Sequence, residues 1–155
     1  MLSFGKDNCD TQLPKDNPTS ENISLPSAIS YFNKKYNSLY VHESGVISFN
    51  KPYSGFMSND FPFKNNETFY AIYLADVDTG DSCGDVWYRV TKDQETLDNI
   101  AQLVQGSSSL LDKFQPTWAF IATWNEVCFH QASHLGKQKR NTFQAVLATD
   151  GSGEF

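Results

Sequence analysis

Residues 117–130, T-W-A-F-I-A-T-W-N-E-V-C-F-H, are the most apolar and β-prone stretch of the chain, and their periodicity predicts a central strand. Trp118, Phe120, Ala122 and Trp124 share one face at period two, while Ala119, Ile121 and Thr123 share the other. Both faces of this strand are therefore expected to be covered. Beyond Trp124 the large apolar residues change phase to Val127 and Phe129, which predicts a β-bulge near Asn125 and Glu126 or a strand that leaves its layer. Each large side chain buried here contributes about 1.5–3 kcal/mol, so a single truncation threatens a marginally stable domain.

Working outward, residues 131–140 read as a polar loop, and residues 141–149 as a return strand with Phe143, Ala145 and Leu147 on one face, pairing antiparallel with the central one. On the other side, Thr91-Lys92-Asp93-Gln94 has the form of a capping box. Leu97, Ile100, Ala101 and Val104 then fall at helical spacing, and Gly106 supplies a stop. One amphipathic helix is expected at about 92–105, packed on the sheet, after a short strand at 86–91. Residues 38–50 read as a hairpin turning at Glu43-Ser44-Gly45, and residues 68–75 as a buried strand. Residues 6–27 carry Pro14, Pro18 and Pro26 among Asp, Asn, Ser and Thr and read as an extended surface segment. Between 51 and 66, loop chemistry is mixed with Tyr53, Phe56, Met57, Phe61 and Phe63. These rings either fold onto the core or form an apolar recognition surface. The fold class is mainly β (α+β), with antiparallel sandwich-like sheets and one helix.

A chain of 155 residues suits one domain and can bury a sizeable core without metals. Aromatic residues make up 14% and charged residues 19%, a balance that favours sheet over coiled coil or disorder. With a net charge of −6 and one basic cluster at Lys137, Lys139 and Arg140, nucleic acid is not an expected partner. Nowhere is there an apolar run of the roughly 18 residues a spanning helix needs. The opening Met1-Leu2-Ser3-Phe4-Gly5 lacks the apolar core of a signal peptide. That leaves a cytosolic protein or an excised piece of a larger one. Two N-glycosylation sequons, at Asn22 and Asn66, favour the second. Three cysteines, Cys9, Cys83 and Cys128, leave at least one thiol free or paired elsewhere. A Cys83–Cys128 bridge would tie a loop to the central strand, whereas an unbridged Cys128 would be a small buried hydrophobe.

Several constellations could carry chemistry. Asp76, Asp78, Asp81 and Asp85 place four carboxylates in ten residues, as a calcium loop would, but Gly falls at the fifth position and Trp87 at the twelfth, against EF-hand spacing. Asp and Gly residues capping their own backbone in a turn account for the same pattern. A glycosidase-like pair could be drawn from Asp76, Asp78 and Glu126, since such enzymes need carboxylates about 5–9.5 Å apart. Cys128, His130 and His134 offer three zinc ligands without a fourth. His42, beside the hairpin turn, reads as structural.

The order of motifs is more specific than any of these. Leu39-Tyr40-Val41, then Ser44-Gly45-Val46-Ile47-Ser48-Phe49, then Ala75-Asp76-Val77-Asp78, then Gly84-Asp85-Val86-Trp87-Tyr88-Arg89, precede Pro116-Thr117-Trp118 and Thr123-Trp124. Asn141-Thr142-Phe143-Gln144-Ala145-Val146-Leu147 and Asp150-Gly151 close the series. This order resembles the NIDO module, the nidogen-type extracellular domain, over roughly residues 29–151. The resemblance implies a secreted or cell-surface location, a non-enzymatic role in matrix or adhesion, and matrix or cell-surface proteins as partners. It implies no cofactor and no catalytic residues, with calcium or carbohydrate binding by the β-domain as the alternative. It divides the chain into an extended segment, 1–28, and a NIDO-like domain, 29–155, whose last strands would lie beyond Asp150-Gly151. Departures are Tyr73-Leu74, where the family usually carries an aromatic pair with Trp, the His42-Glu43 turn, and Cys83 and Cys128, which are outside its pattern.

Overall fold

A computed structural model of the chain describes residues 1–15, 17–54, 68–80, 83–107, 111–130 and 136–151. In chain order the elements are β1 (Thr11–Gln12), β2 (Ile23–Tyr31), β3 (Lys34–His42), β4 (Val46–Ser48), β5 (Phe69–Ala71) and β6 (Val77–Asp78). They continue with β7 (Asp85–Thr91), α1 (Gln94–Gln105), β8 (Trp118–Phe129) and β9 (Asn141–Thr149). The long apolar stretch is β8, and it pairs antiparallel with β7, with β9 and, at its far end, with β6. β1 extends this five-stranded sheet beyond β7, while β2, β3, β4 and β5 form a second, four-stranded antiparallel sheet.

Period-two alternation in β8 sets the layers. Trp118, Phe120, Ala122 and Trp124 face the other sheet and pack in one cluster with Ile29, Leu39, Val41, Ile47 and Phe49. Ala119 and Ile121 point the opposite way, under Leu97 and Ile100 of α1. The result is a β-sandwich with a helix on the outer face of one sheet. Two indoles fasten the layers: Trp124 Nε1 donates to the His42 carbonyl at 3.2 Å, and Trp118 Nε1 to Ser27 Oγ at 2.8 Å. The Trp124 ring also stacks on Phe143, with centroids 4.9 Å apart.

The phase change after Trp124 is a bulge. In the β8–β9 ladder Trp124 pairs with Phe143 and Val127 with Asn141, so three steps on one strand meet two on the other. Glu126 absorbs the extra residue at φ 51°. Cys83 and Cys128 are joined by a disulfide just past this point, with Cα atoms 5.4 Å apart.

Other expectations are revised. Residues 6–27 are more than a surface segment: β1 pairs with β7, β2 begins at Ile23, and Leu13 is buried in the core. The prolines hid these strands, and β2 accommodates Pro26 by shifting register between Ser24 and Ile29. The strand expected over 68–75 shrinks to Phe69–Ala71 and is half-exposed, because it pairs with β4 and then turns so that Ile72 and Tyr73 donate their N–H groups to the Gly45 carbonyl. The helix starts two residues late because Asp93, not Thr91, is the N-cap, accepting from Thr96 N at 2.9 Å. Tyr53 is buried, whereas Phe56, Met57, Phe61 and Phe63 lie outside the described residues.

Among the described glycines, Gly84 marks the tightest approach. Its N–H donates to the Glu126 carbonyl at 3.0 Å, and a Cβ there would stand 1.7 Å from the Asn125 carbonyl oxygen. Gly84→Ala is therefore expected to lower unfolding stability by about 3 kcal/mol, measured by urea denaturation, because the bulge would have to open.

Candidate functional site

Where α1 meets β9, the surface stays apolar. The helix lays Leu97, Ile100 and Ala101 on the sheet, and small residues at Ala119 and Ala148 let it approach closely. Its stripe continues to Val104, but Leu103 lies off the stripe and is 65% exposed. β9 carries Val146 on its outward phase, the following segment contributes Leu111 and Phe114, and Leu2 closes the end. Leu2 is clamped at both main-chain groups by Gln144: its N–H donates to Oε1 at 2.8 Å, and its carbonyl accepts from Nε2 at 3.1 Å. Together these residues line a groove of about 320 Å³. It can take an apolar side chain but offers no acid, base or nucleophile.

Beside it, sharing Leu2, runs a polar crevice lined by Asp93, Glu95, Thr96, Asn99 and Arg89. The guanidinium of Arg89 is already engaged, donating to Asp10 Oδ1 at 2.6 Å and to the Ser3 carbonyl at 3.1 Å. Hydrogen bonds from the backbone and side chain of Thr96 hold the Asp93 carboxyl below its usual value, so it is charged.

Of the carboxylates singled out in the sequence, Asp78 and Asp85 are committed to different partners. Asp78 Oδ1 accepts from Gly80 N at 2.7 Å, a side chain capping its own turn. Asp85 accepts from Gln12 Nε2 at 2.7 Å and pairs with Lys15 Nζ at 2.8 Å, well away from that turn in role. The Asp76 carbonyl accepts from His130 N at 2.9 Å, and Asp81 lies outside the described residues. Among the described residues no three His, Cys, Asp or Glu side chains gather as metal ligands would. Glu126 is exposed on the bulge, its backbone N–H held by Thr142 Oγ1 at 2.9 Å. The zinc reading is overturned at Cys128, whose sulfur is consumed in the disulfide and supplies no thiolate; His134 lies outside the described residues.

Asn22 is exposed, donating through Nδ2 to Ser38 Oγ at 3.0 Å and Tyr40 OH at 2.9 Å, and Asn66 lies outside the described residues. Cys9 is exposed with a free thiol. Sequence reading missed the apolar groove. The signal was Val146 in the outward phase of β9 and Leu103 off the helix stripe, both apolar where water was expected.

At the hairpin turn, burial pushes the His42 imidazole down to about 4, and its Nδ1 accepts from Ser44 N at 3.1 Å. Burial raises the neighbouring Glu43 carboxyl, and the charges of Asp78 and Asp76 push the same way against a hydrogen bond from Thr79 at 2.8 Å.

Comparison with known proteins adds an independent line. The family described as nidogen-like domain matches residues 37–155. Alpha-tectorin of Mus musculus is 37% identical over 147 residues, covering 94% of this chain and 7% of that protein. Nidogen-2 of Mus musculus is 32% identical over 163 residues, covering all of this chain and 11% of that protein. Nidogen-1 of Homo sapiens is 30% identical over 162 residues, again covering this whole chain and 13% of that protein. The chain thus spans a small part of the curated relatives it matches. No solved structure matches it significantly.

The His42 environment predicts a pH dependence. Its folded pKa lies below the usual 6.5, so between about 6.5 and 4 the unfolded chain binds the proton and the folded one does not, and stability falls as pH falls through that window. Glu43, with its pKa raised, works in the opposite sense, stabilising at low pH and losing that contribution as pH rises through its folded value. The two are separated by comparison with His42→Gln. Urea melts from pH 7 to 4 should show the wild-type chain losing up to about 3 kcal/mol more than the variant over that range.

Proposed function

The chain belongs to the nidogen-like domain family, and we propose that it acts as a non-enzymatic interaction module of a larger extracellular matrix or cell-surface glycoprotein, contributing to cell–matrix adhesion or matrix assembly. The observation that carries this reading is the kinship with alpha-tectorin and the nidogens, extracellular matrix proteins, at 30–37% identity over nearly the whole chain. The Cys83–Cys128 disulfide supports the same compartment, because such bonds persist where thiols are not kept reduced. So does the chemistry of the surface. It carries an apolar groove lined by no acid, base or nucleophile, suited to binding another macromolecule. Partners are matrix or cell-surface proteins, with glycans carried at Asn22 and Asn66.

Secretion from a eukaryotic cell tests the compartment. Intact mass is expected to fall on glycan removal, to fall by one glycan in Asn22→Gln, and to show a single alkylated thiol, Cys9, before reduction. Bare asparagines with three reactive thiols would overturn the reading.

A further inference from the structure

Two surface features stand out among the described residues. The first is the tip of the β2–β3 hairpin, where Tyr31 pairs with Lys34 across Phe32 and Asn33. Both central residues hold left-handed backbone, at φ 46° and 59°. Asn suits that conformation, but a bulky aromatic does not, and Phe32 is disfavoured there. Burial does not offset this, since Phe32 is 80% exposed, its ring centroid 4.6 Å from that of Tyr31 in an edge-on contact. Lys34 and Lys35 beside it are exposed too, a basic spot on a chain of net charge −6. A phenyl ring is thus held out in water next to two exposed lysines in the chain, in a conformation its own backbone resists.

The second is the groove between α1 and β9, where Leu103, Leu111 and Val146 are 65%, 42% and 37% exposed. Its volume of about 320 Å³ accommodates a phenyl ring. The adjoining crevice presents Asp93 and Glu95, while its one cation, Arg89, is neutralised by Asp10. Apolar knob and apolar socket therefore carry flanking charges of opposite sign.

We propose that the hairpin tip of one copy docks into the α1–β9 groove of a second copy, with Phe32 seated among Leu103, Leu111, Phe114 and Val146, and Lys34 and Lys35 facing Asp93 and Glu95 of the neighbour. The tip belongs to the four-stranded sheet, and the socket lies on the outer face of the five-stranded one. Each copy thus presents a knob on one layer and a socket on the other. Such a head-to-tail contact is heterologous and builds rings or open chains. This goes beyond the assignment to the matrix, because it names the partner and the two surfaces, and it holds wherever the chain resides.

Sedimentation velocity of the 155-residue chain at low salt, with concentration raised to on the order of 100 μM, tests it. The wild-type chain is expected to sediment progressively faster as concentration rises. Phe32→Asn removes the knob while giving the turn a residue at ease with positive φ, so its Tm should not fall. Leu103→Glu spoils the socket at an exposed helical position. Each variant alone should associate at least about tenfold more weakly. Mixed in equal amounts, the intact socket of one and the intact knob of the other should form a 1:1 complex that grows no further. A wild-type chain that stays monomeric overturns the proposal and leaves the groove to some other occupant. Either variant associating like wild type, or a mixture that remains monomeric, overturns it as well.

Discussion

The double burial of β8 is the constraint on which the rest of the structure depends. A strand apolar on both faces has no stable place at a surface, so a second sheet must cover Phe120 and Trp124 while something else covers Ala119 and Ile121. α1 is that something, and its closeness follows from the small side chains beneath it. Polar groups that enter the core with the aromatic rings are satisfied across the layers, as when the two indole N–H groups reach the His42 carbonyl and the Ser27 hydroxyl. An unpaired buried N–H costs about 1–3 kcal/mol, so these bonds fix the relative setting of the sheets as much as the hydrophobic contacts do.

The bulge at Glu126 is where this constraint relaxes. Having spent its alternation on both layers, β8 slips one residue, turns Glu126 outward and continues with Val127 and Cys128 buried. That slip brings the Glu126 carbonyl against Gly84, whose missing side chain is what permits the approach. The disulfide next to it links the β6–β7 connection to the same strand, so ladder, close contact and covalent bond secure one corner together.

How much of this was legible follows from the range of each interaction. β8, its bulge, the β3–β4 hairpin, α1 and β9 are written in local periodicity, which sequence displays directly. β1 and β2 were not legible, because their pairing partners lie far away and their own composition reads as loop. Thr11 meets Tyr88, and Asp10 meets Arg89 across 79 positions. Nothing local in a segment rich in proline and asparagine announces such partners. The commitments of the carboxylates were hidden for a related reason. Residue type and spacing suggested ligands, but the oxygens of Asp78 and Asp85 are committed to a turn amide, an amide side chain and a lysine, commitments visible only in three dimensions. The groove is the mirror case, assembled from Leu2, the helix and β9, three segments no sequence window holds together.

Strain at Phe32 and stability at the core are connected by cooperativity. A two-layer domain unfolds as a unit, so a local penalty of about 1–2 kcal/mol at a hairpin tip is drawn from the stability of the whole. A cross-link closing a 45-residue separation restricts the unfolded chain by about 3–4 kcal/mol in the chain-entropy account, which exceeds that penalty. The fold can therefore hold an aromatic ring outward in left-handed backbone without losing its register, provided the corner around Gly84 and Cys128 stays closed. Stability gathered at one end of β8 permits an unfavourable conformation at the distant tip of the other sheet. Packing within the chain would be served as well by Asn or Gly at position 32, so the outward ring is the feature that a contact between copies would use.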